Sequence, residues 1–517
     1  MADTRAENSR FGSAMGKPSA SIATDAGSRQ FFWRHSSFLA GASTSPRPMR
    51  TSRFPQQSEP AGVQAEADHD GYAVVDRPGG GAASDELRGQ FVTTPFRRGC
   101  KIAAVGAHTA ATVGWNGMVA RLRRRDIDAA RSLPRQFRLA LEELGPTFVK
   151  LGQLLSARSD ITPNSLQREL SELRDHAPAI PQAAVAEQVR ISLGPSAMSL
   201  FATFEVAPMA CASIGQVHRA TLSDGRRVAV KVQRPGIRSE IETDLALLRK
   251  MSRVITWLSA RARAYDLVRM VDEFATMLRA ETNFTIEAGN IDAIYRTFVN
   301  DESVTVPTVI GELSSESLLV MDWIEGIPLS KSEQLDAAGA DRPTLARLVV
   351  HAYAVMIFQS DRFQADPQPA NLISRPDGGI GLVDFGEVGL VTADARASLM
   401  NLLTAFVAQN ADGVAEAVLS VGRATRAVDR KALAVELETL LGGITNKSLK
   451  EVRLGAMLYD LLHLLRIRGI LLPADLAVLL KTMIVCEATT SEIDPAFTMA
   501  GVFAGLMLAP TDESHND

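Results

Sequence analysis

The chain has 517 residues, 46% of them hydrophobic, and carries a net charge of −4. That is enough for one large two-lobed unit or two to three domains with a substantial core. A pI near 6.1 gives no electrostatic footprint for nucleic acid, and three widely spaced cysteines, Cys100, Cys211 and Cys486, exclude a disulfide framework.

Residues 1–97 are rich in Ser, Gly, Ala and Pro without apolar periodicity, so they are expected to be disordered. They lack a Sec-type signal pattern. An organellar transit peptide is opposed by Asp3, Glu7 and Asp25, which leaves cytoplasmic residence as the expectation. Ile102 to Ala120 is uncharged and is followed by Arg121 and Arg123-Arg124-Arg125. Its Ala, Gly and Thr content, with His108 and Asn116, favours a helix packed on protein or lying at a membrane surface over one that spans.

Residues 98–199 read as a helical extension. Pro146 suits the first turn of a helix whose apolar face carries Phe148, Leu151 and Leu155, while Lys150 and Gln153 share another face. Strand character begins near residue 200. Arg219–Leu222 and Arg227–Val232 flank Ser223-Asp224-Gly225-Arg226, a hairpin signal. Two or three helices are expected from Arg238 to Phe298, then strands at Val304–Ile310 and Ser317–Trp323. The rest should be helical except for a hairpin of Leu372-Ile373 and Ile380–Val383 around Pro376-Asp377-Gly378-Gly379. Strands followed by helices give an α+β, two-lobed protein-kinase-like fold, with an N-lobe at 200–326, a largely helical C-lobe at 327–510 and a tail at 511–517. The apolar stretch from Phe497 to Leu508 is too short to span a bilayer.

Four motifs carry chemistry in kinase order: Val228-Ala229-Val230-Lys231, then Glu287, then Asp366-x4-Asn371, then Asp384-Phe385-Gly386. Phosphoryl transfer is mostly positioning and charge neutralisation, so it needs a fixed cation and metal-holding carboxylates. Lys231 lies mid-strand between valines and needs a carboxylate partner, for which Glu281 and Glu287 are the candidates. Asp366 is placed to orient an attacking hydroxyl, and Asn371 and Asp384 to hold a metal. Taken singly, Lys231 could be a surface lysine of an edge strand, and Asp366 or Asn371 an Asx-turn residue. A glycine-rich loop is missing. In its place stand Ala210-Cys211-Ala212-Ser213, which keep the loop small but restrict φ and stiffen the cradle for a nucleotide.

On these residues the chain resembles the UbiB/AarF family of atypical protein-kinase-like proteins over about residues 134–500. Lys150-Leu151-Gly152-Gln153 matches the family's Lys-x-Gly-Gln motif, and Ala210 to His218 its alanine-rich loop. The resemblance implies ATP or ADP binding with Mg²⁺ and ATPase or small-molecule kinase activity rather than protein phosphorylation. Lys150 and Gln153 would cover the protein-substrate side, while Ala210, Ala212 and Ser213 would line the nucleotide with Lys231, Glu287 and Glu281. It also implies a role in isoprenoid-quinone biosynthesis or lipid homeostasis, with a membrane lipid or quinone precursor and quinone-biosynthesis proteins as partners, and peripheral membrane association. The chain departs from the family pattern in three places. Glu-x-Asp is Glu281-Thr282-Asn283, the catalytic-loop histidines are Gln364 and Gln368 with Ala370 for glycine, and one loop alanine is Cys211. The first two keep a nucleotide-binding pseudokinase scaffold in view as the rival to an enzyme, while the Lys-x-Gly-Gln motif argues against a soluble small-molecule kinase of the aminoglycoside type.

Overall fold

The computed structural model describes residues 95–122, 126–157, 162–173, 177–259, 263, 266–442 and 452–500. Most of the stretch expected to be disordered, and most of the apolar Phe497–Leu508 segment, lie outside these residues. Helix α1 (Pro95–Leu122) already begins inside the former.

Four helices form the N-terminal extension: α1, α2 (Asp126–Leu144), α3 (Pro146–Ala157) and α4 (Asn164–Leu170). Ile102 and Val105 turn α1 onto the protein core, and no helix among the described residues is long and apolar enough to cross a membrane. The Arg98 guanidinium, buried, grips Asp244 with bonds of 2.6 and 2.7 Å and donates to the Leu144 carbonyl at 2.7 Å. Both partners are out of water, so the pair holds α1 in place: removing Arg98 would leave the buried Asp244 carboxylate without its cation, while Glu240 adds a second carboxylate 3.1 Å from the guanidinium. Gly152 lets α3 approach its neighbours, since a Cβ there would meet Leu173 Cδ1 at 2.3 Å and Leu141 Cδ1 at 2.8 Å.

After α5 (Gln182–Leu193), the N-lobe sheet runs β1 (Phe201–Phe204), β2 (Ala210–Cys211), β3 (Gly215–Leu222) and β4 (Arg227–Gln233). Helices α6 (Ile237–Leu258), α7 (Leu267–Glu281) and α8 (Phe284–Phe298) intervene, followed by β5 (Val304–Thr305) and β6 (Leu318–Asp322). Strand order is β1-β3-β4-β6, all antiparallel, with β2 also paired to β3. The expected hairpin closes at Thr221↔Arg227 through Gly225 at φ 89°. Strand alternation sends Val228, Val230 and Val232 into a satellite core under α5 with Val185 and Val189, and turns Ala229 and Lys231 to the opposite face. With β3 and β6 on either side, β4 is an interior strand. Lys231 is therefore a cleft lysine, which removes the edge-strand alternative.

The C-lobe comprises β7 (Ile327–Pro328), α9 (Ser332–Ala337), α10 (Arg342–Gln359), β8 (Arg362–Gln364), β9 (Leu372–Ser374), β10 (Ile380–Leu382) and β11 (Val388–Leu390). It continues through α11 (Ala393–Val407), α12 (Ala411–Val421), β12 (Arg423–Ala424), α13 (Arg430–Gly442), α14 (Leu454–Arg468), β13 (Ile470–Leu471) and α15 (Ala474–Ile493). Helix α10 runs through the core, with Val349, Val350, Tyr353 and Ile357 fully buried. The expected hairpin β9–β10 forms, with Gly381 opposite Ile373. Strand content exceeds the single hairpin expected: β7 joins β9, β8 pairs β11 and β12 pairs β13. These strands are two or three residues long, shorter than any period-2 pattern can reveal.

Candidate functional site

Lys231 Nζ donates to Glu287 Oε1 at 2.7 Å and Oε2 at 2.9 Å, and lies 3.6 Å from Asp384 Oδ1. Helix α8 presents Glu287 because Asn283 caps it: the Asn283 side chain accepts from the Thr285 N–H at 3.1 Å. The missing carboxylate of the Glu-x-Asp pattern thus leaves a working helix cap. Burial alone would push the Lys231 ammonium down, but Glu287 and Asp384 hold it above the ordinary lysine range. Burial likewise pushes Glu287 up and Lys231 pulls it back; two short bonds from one ammonium make this an ion pair.

Asp384 sits at φ 65°, a left-handed conformation that costs a non-glycine residue about 1 kcal/mol or more. The strain aims its carboxylate, 51% exposed, into the cleft, where Oδ1 accepts from the Gly386 N–H at 3.2 Å. Lys231 holds the Asp384 carboxyl below its usual range, and Lys150 adds to this. Helix α8 also fixes the segment from behind. Glu287 accepts from the Phe385 N–H, Asn290 Nδ2 donates to the Phe385 carbonyl at 3.2 Å, and Arg362 donates to Asn290 Oδ1 at 3.0 Å. Asn290 was legible as the position three after Glu287 on the same helix face, and sequence reasoning passed over it.

Across the cleft, Asn371 Nδ2 donates to Asp366 Oδ2 at 3.0 Å, which leaves the Asn371 amide oxygen as its acceptor. Burial, reinforced by Glu387 and Asp384, raises the Asp366 carboxyl to about 6, with Lys481 and Asn371 opposing. Glu387 and Lys481 were both missed; the first directly follows Asp384-Phe385-Gly386, while the second lies 115 positions beyond Asp366 on α15, where only the fold brings it near. Gln364, fully buried, donates to the carbonyls of Val383 and Asp384, each at 2.7 Å, and accepts from Tyr353 Oη at 2.6 Å. Gln364 therefore ties the segment before Asp366 to the Asp384 strand end from within the core. Gln368 and Ala370 are exposed.

Lys150 forms an ion pair with Glu281 at the end of α7, so Glu281 is not the direct partner of Lys231, although its charge still helps raise Lys231. Gln153 turns elsewhere, its Nε2 3.5 Å from the Leu173 carbonyl. The alanine-rich segment is a tight hairpin more than a loop. Ala210 pairs with Val217, Ala212 N–H donates to the Gly215 carbonyl at 2.8 Å, and Ser213 is buried in the turn. Because Ala210 is opposite Val217 and Val217 opposite Lys231, all three share the cleft face of the sheet.

Among the described residues, no group of three or more His, Cys, Asp or Glu side chains stands as a metal site. Mg²⁺ is commonly held by one or two protein oxygens, with waters and substrate phosphates as its other ligands. The Asp384 carboxylate and the Asn371 amide oxygen are the groups here that could hold such a cation.

Residues 172–418 match the ABC1 atypical kinase-like domain and residues 437–498 the UbiB helical domain. An uncharacterized protein of Synechocystis sp., sll1770, is 32% identical over 363 residues, 70% of this chain and 62% of its own length. A probable protein kinase UbiB of Aeromonas hydrophila is 32% identical over 365 residues, 70% of this chain and 67% of its own. The chain thus spans about two thirds of these relatives. A solved structure of Rv3197 with erythromycin from Mycobacterium tuberculosis has 26% identity and a TM-score of 0.49, covering 73% of this chain and 94% of that one. With an ion-paired cleft lysine on an N-lobe strand and both domain matches in order, the chain belongs to the UbiB/ABC1 family of atypical kinase-like proteins.

Proposed function

We propose that this protein is an Mg²⁺-dependent, ATP-binding phosphotransferase or ATPase that works at a membrane surface in support of isoprenoid-quinone biosynthesis or lipid homeostasis. The observation that carries the reading is the Lys231–Glu287–Asp384 constellation facing Asp366 and Asn371. Lys231, kept charged by its carboxylates, binds the α and β phosphates. Asp384 and Asn371 hold Mg²⁺, which when bound neutralises phosphate charge. Asp366 orients the attacking hydroxyl or water and takes its proton. The Ala210–Ser213 hairpin covers the nucleotide, and Lys150, locked to Glu281, closes the side where a protein substrate would enter. The quinone assignment draws on relatives named UbiB.

An exposed apolar stripe supports the membrane. On α6, Met251, Val254, Ile255 and Leu258 recur at helical spacing beside Trp257, which is 78% exposed, and Lys250 and Arg253 flank them. An aromatic and aliphatic stripe with basic neighbours fits the interface of an anionic bilayer. Gln364 and Asn283 have structural work here, so neither argues for a scaffold. ATP turnover with and without anionic liposomes, beside Asp366→Asn, tests the proposal. Turnover lost in the variant supports the enzyme; nucleotide binding without turnover, lipid or not, selects the scaffold.

A further inference from the structure

Helix α15 carries three buried threonines, Thr482, Thr489 and Thr490. A threonine inside a helix commonly returns its hydroxyl hydrogen to a carbonyl one turn back. Thr490 does so, donating to the carbonyls of Cys486 and Glu487, each at 3.0 Å. Thr482 does so too: its hydroxyl lies 2.9 Å from the Val478 carbonyl and 3.3 Å from that of Ala365, and its single hydrogen favours the nearer. Thr489 is the exception. Its Oγ1 donates at 2.7 Å to the Pro367 carbonyl, 122 positions earlier in the chain.

That bond acts on the residue next to Asp366. The proline ring presets φ at Pro367, so holding its carbonyl leaves the Asp366–Pro367 peptide little freedom to turn. On the other side, the Ala365 N–H donates to the Glu387 carbonyl at 2.8 Å. Asn371 Nδ2 donates to the Asp366 carbonyl itself at 3.2 Å. Asp366 is thus held before, at and after its own backbone, and the last of these anchors comes from the matched helical domain.

The anchor has a firm base. Glu487, buried and two residues before Thr489, accepts from the N–H groups of Leu454 at 2.9 Å, Gly455 at 2.6 Å and Ala456 at 3.3 Å. It thereby caps α14, whose own N-cap residue Arg453 makes no side-chain cap bond. A Cβ at Gly455 would lie 2.9 Å from Glu487 Oε2, so the glycine admits the carboxylate. Helices α14 and α15 are locked together where Thr489 meets the loop.

We propose that Thr489 is a positioning residue for Asp366, through which the helical domain sets the geometry of the transfer step and not the affinity for nucleotide. This rests on the Mg²⁺-ATP reading above. Misplacing a reacting group by about 1 Å can cost about 100-fold in rate. Lys231 and Asp384, across the cleft, are held by α8 and do not depend on the Thr489 bond.

ATP turnover and Mg²⁺-ATP calorimetry on the full chain with anionic liposomes test the assignment, with turnover counted per ATP-binding site so that unfolded protein does not enter. Thr489→Val keeps the side-chain shape and removes the hydroxyl. It should lower kcat about tenfold or more with KM and ATP affinity within about twofold, and Thr489→Ser should recover most of the loss. Added to Asp366→Asn, Thr489→Val should cost less than about twofold further, because a residue that acts through Asp366 then has nothing to position. If Thr489→Val does not fold, Thr489→Ala carries the same predictions. A kcat within about twofold of wild type, ATP affinity lost in parallel with kcat, or an equal loss in both backgrounds would overturn the assignment while leaving the ATP site intact. A wild-type protein that binds ATP without turnover also overturns it, and one that binds no ATP overturns it together with the reading beneath it.

Discussion

At the scale of single residues, the site depends on side chains whose type could be read and whose partners could not. Lys231, Asp366, Asn371 and Asp384 were named by motif spacing because phosphate chemistry demands those groups in that order. Sequence leaves open whether Glu281 or Glu287 meets Lys231, and only the packing of α8 against the sheet decides it. Gln364 reads as a defect in the catalytic loop, yet its amide makes three bonds that join the loop, the Asp384 strand end and Tyr353. Gln364→Leu would strand a buried hydroxyl and two carbonyls, so denaturant unfolding should show a loss of roughly 2–4 kcal/mol. Asp366, raised to about 6, predicts a pH dependence. Its carboxylate accepts a proton only when ionised, so turnover in a pH–rate profile should rise with pH through a limb near 6 and fall away below it.

At the scale of elements, period and turn chemistry revealed what local sequence controls. The β3–β4 hairpin, the β9–β10 hairpin and α10 were legible because each carries its own pattern. The short strands β7, β8 and β11 were not, since strands of two or three residues exist only through their partners. Gly326 shows how such a pairing sets the lobes. It follows β6 in the connection between them at φ 148°, and a Cβ there would lie 2.2 Å from the backbone oxygen of Ser374. Backbone cannot retreat as a side-chain tip can, so Gly326→Ala should cost about 2–4 kcal/mol in an equilibrium unfolding experiment. It should also weaken nucleotide binding, because β7–β9 pairing anchors the start of the C-lobe.

On the scale of the whole molecule, three distant parts of the chain converge on one cleft. The extension contributes Lys150, the lobes contribute Lys231, Glu287, Asp366, Asn371 and Asp384, and α15 supports the Asp366 loop, where Thr489 Oγ1 donates to the Pro367 carbonyl at 2.7 Å. The extension's motif is readable through the family resemblance, whereas the contribution of α15 is invisible because a lone threonine such as Thr489 carries no local signature. Burial of Arg98 against Asp244 shows the same long-range logic: neither residue means anything alone. The proposed Mg²⁺-nucleotide site rests on Lys231, Asp384 and Asn371. Its most direct test is ATP titration by calorimetry with Mg²⁺ and with EDTA, on the wild-type protein and on Asp384→Asn. Binding that needs Mg²⁺ and falls at least about tenfold in the variant is the predicted result. No ATP binding by the wild type, or binding indifferent to both Mg²⁺ and Asp384, would contradict it.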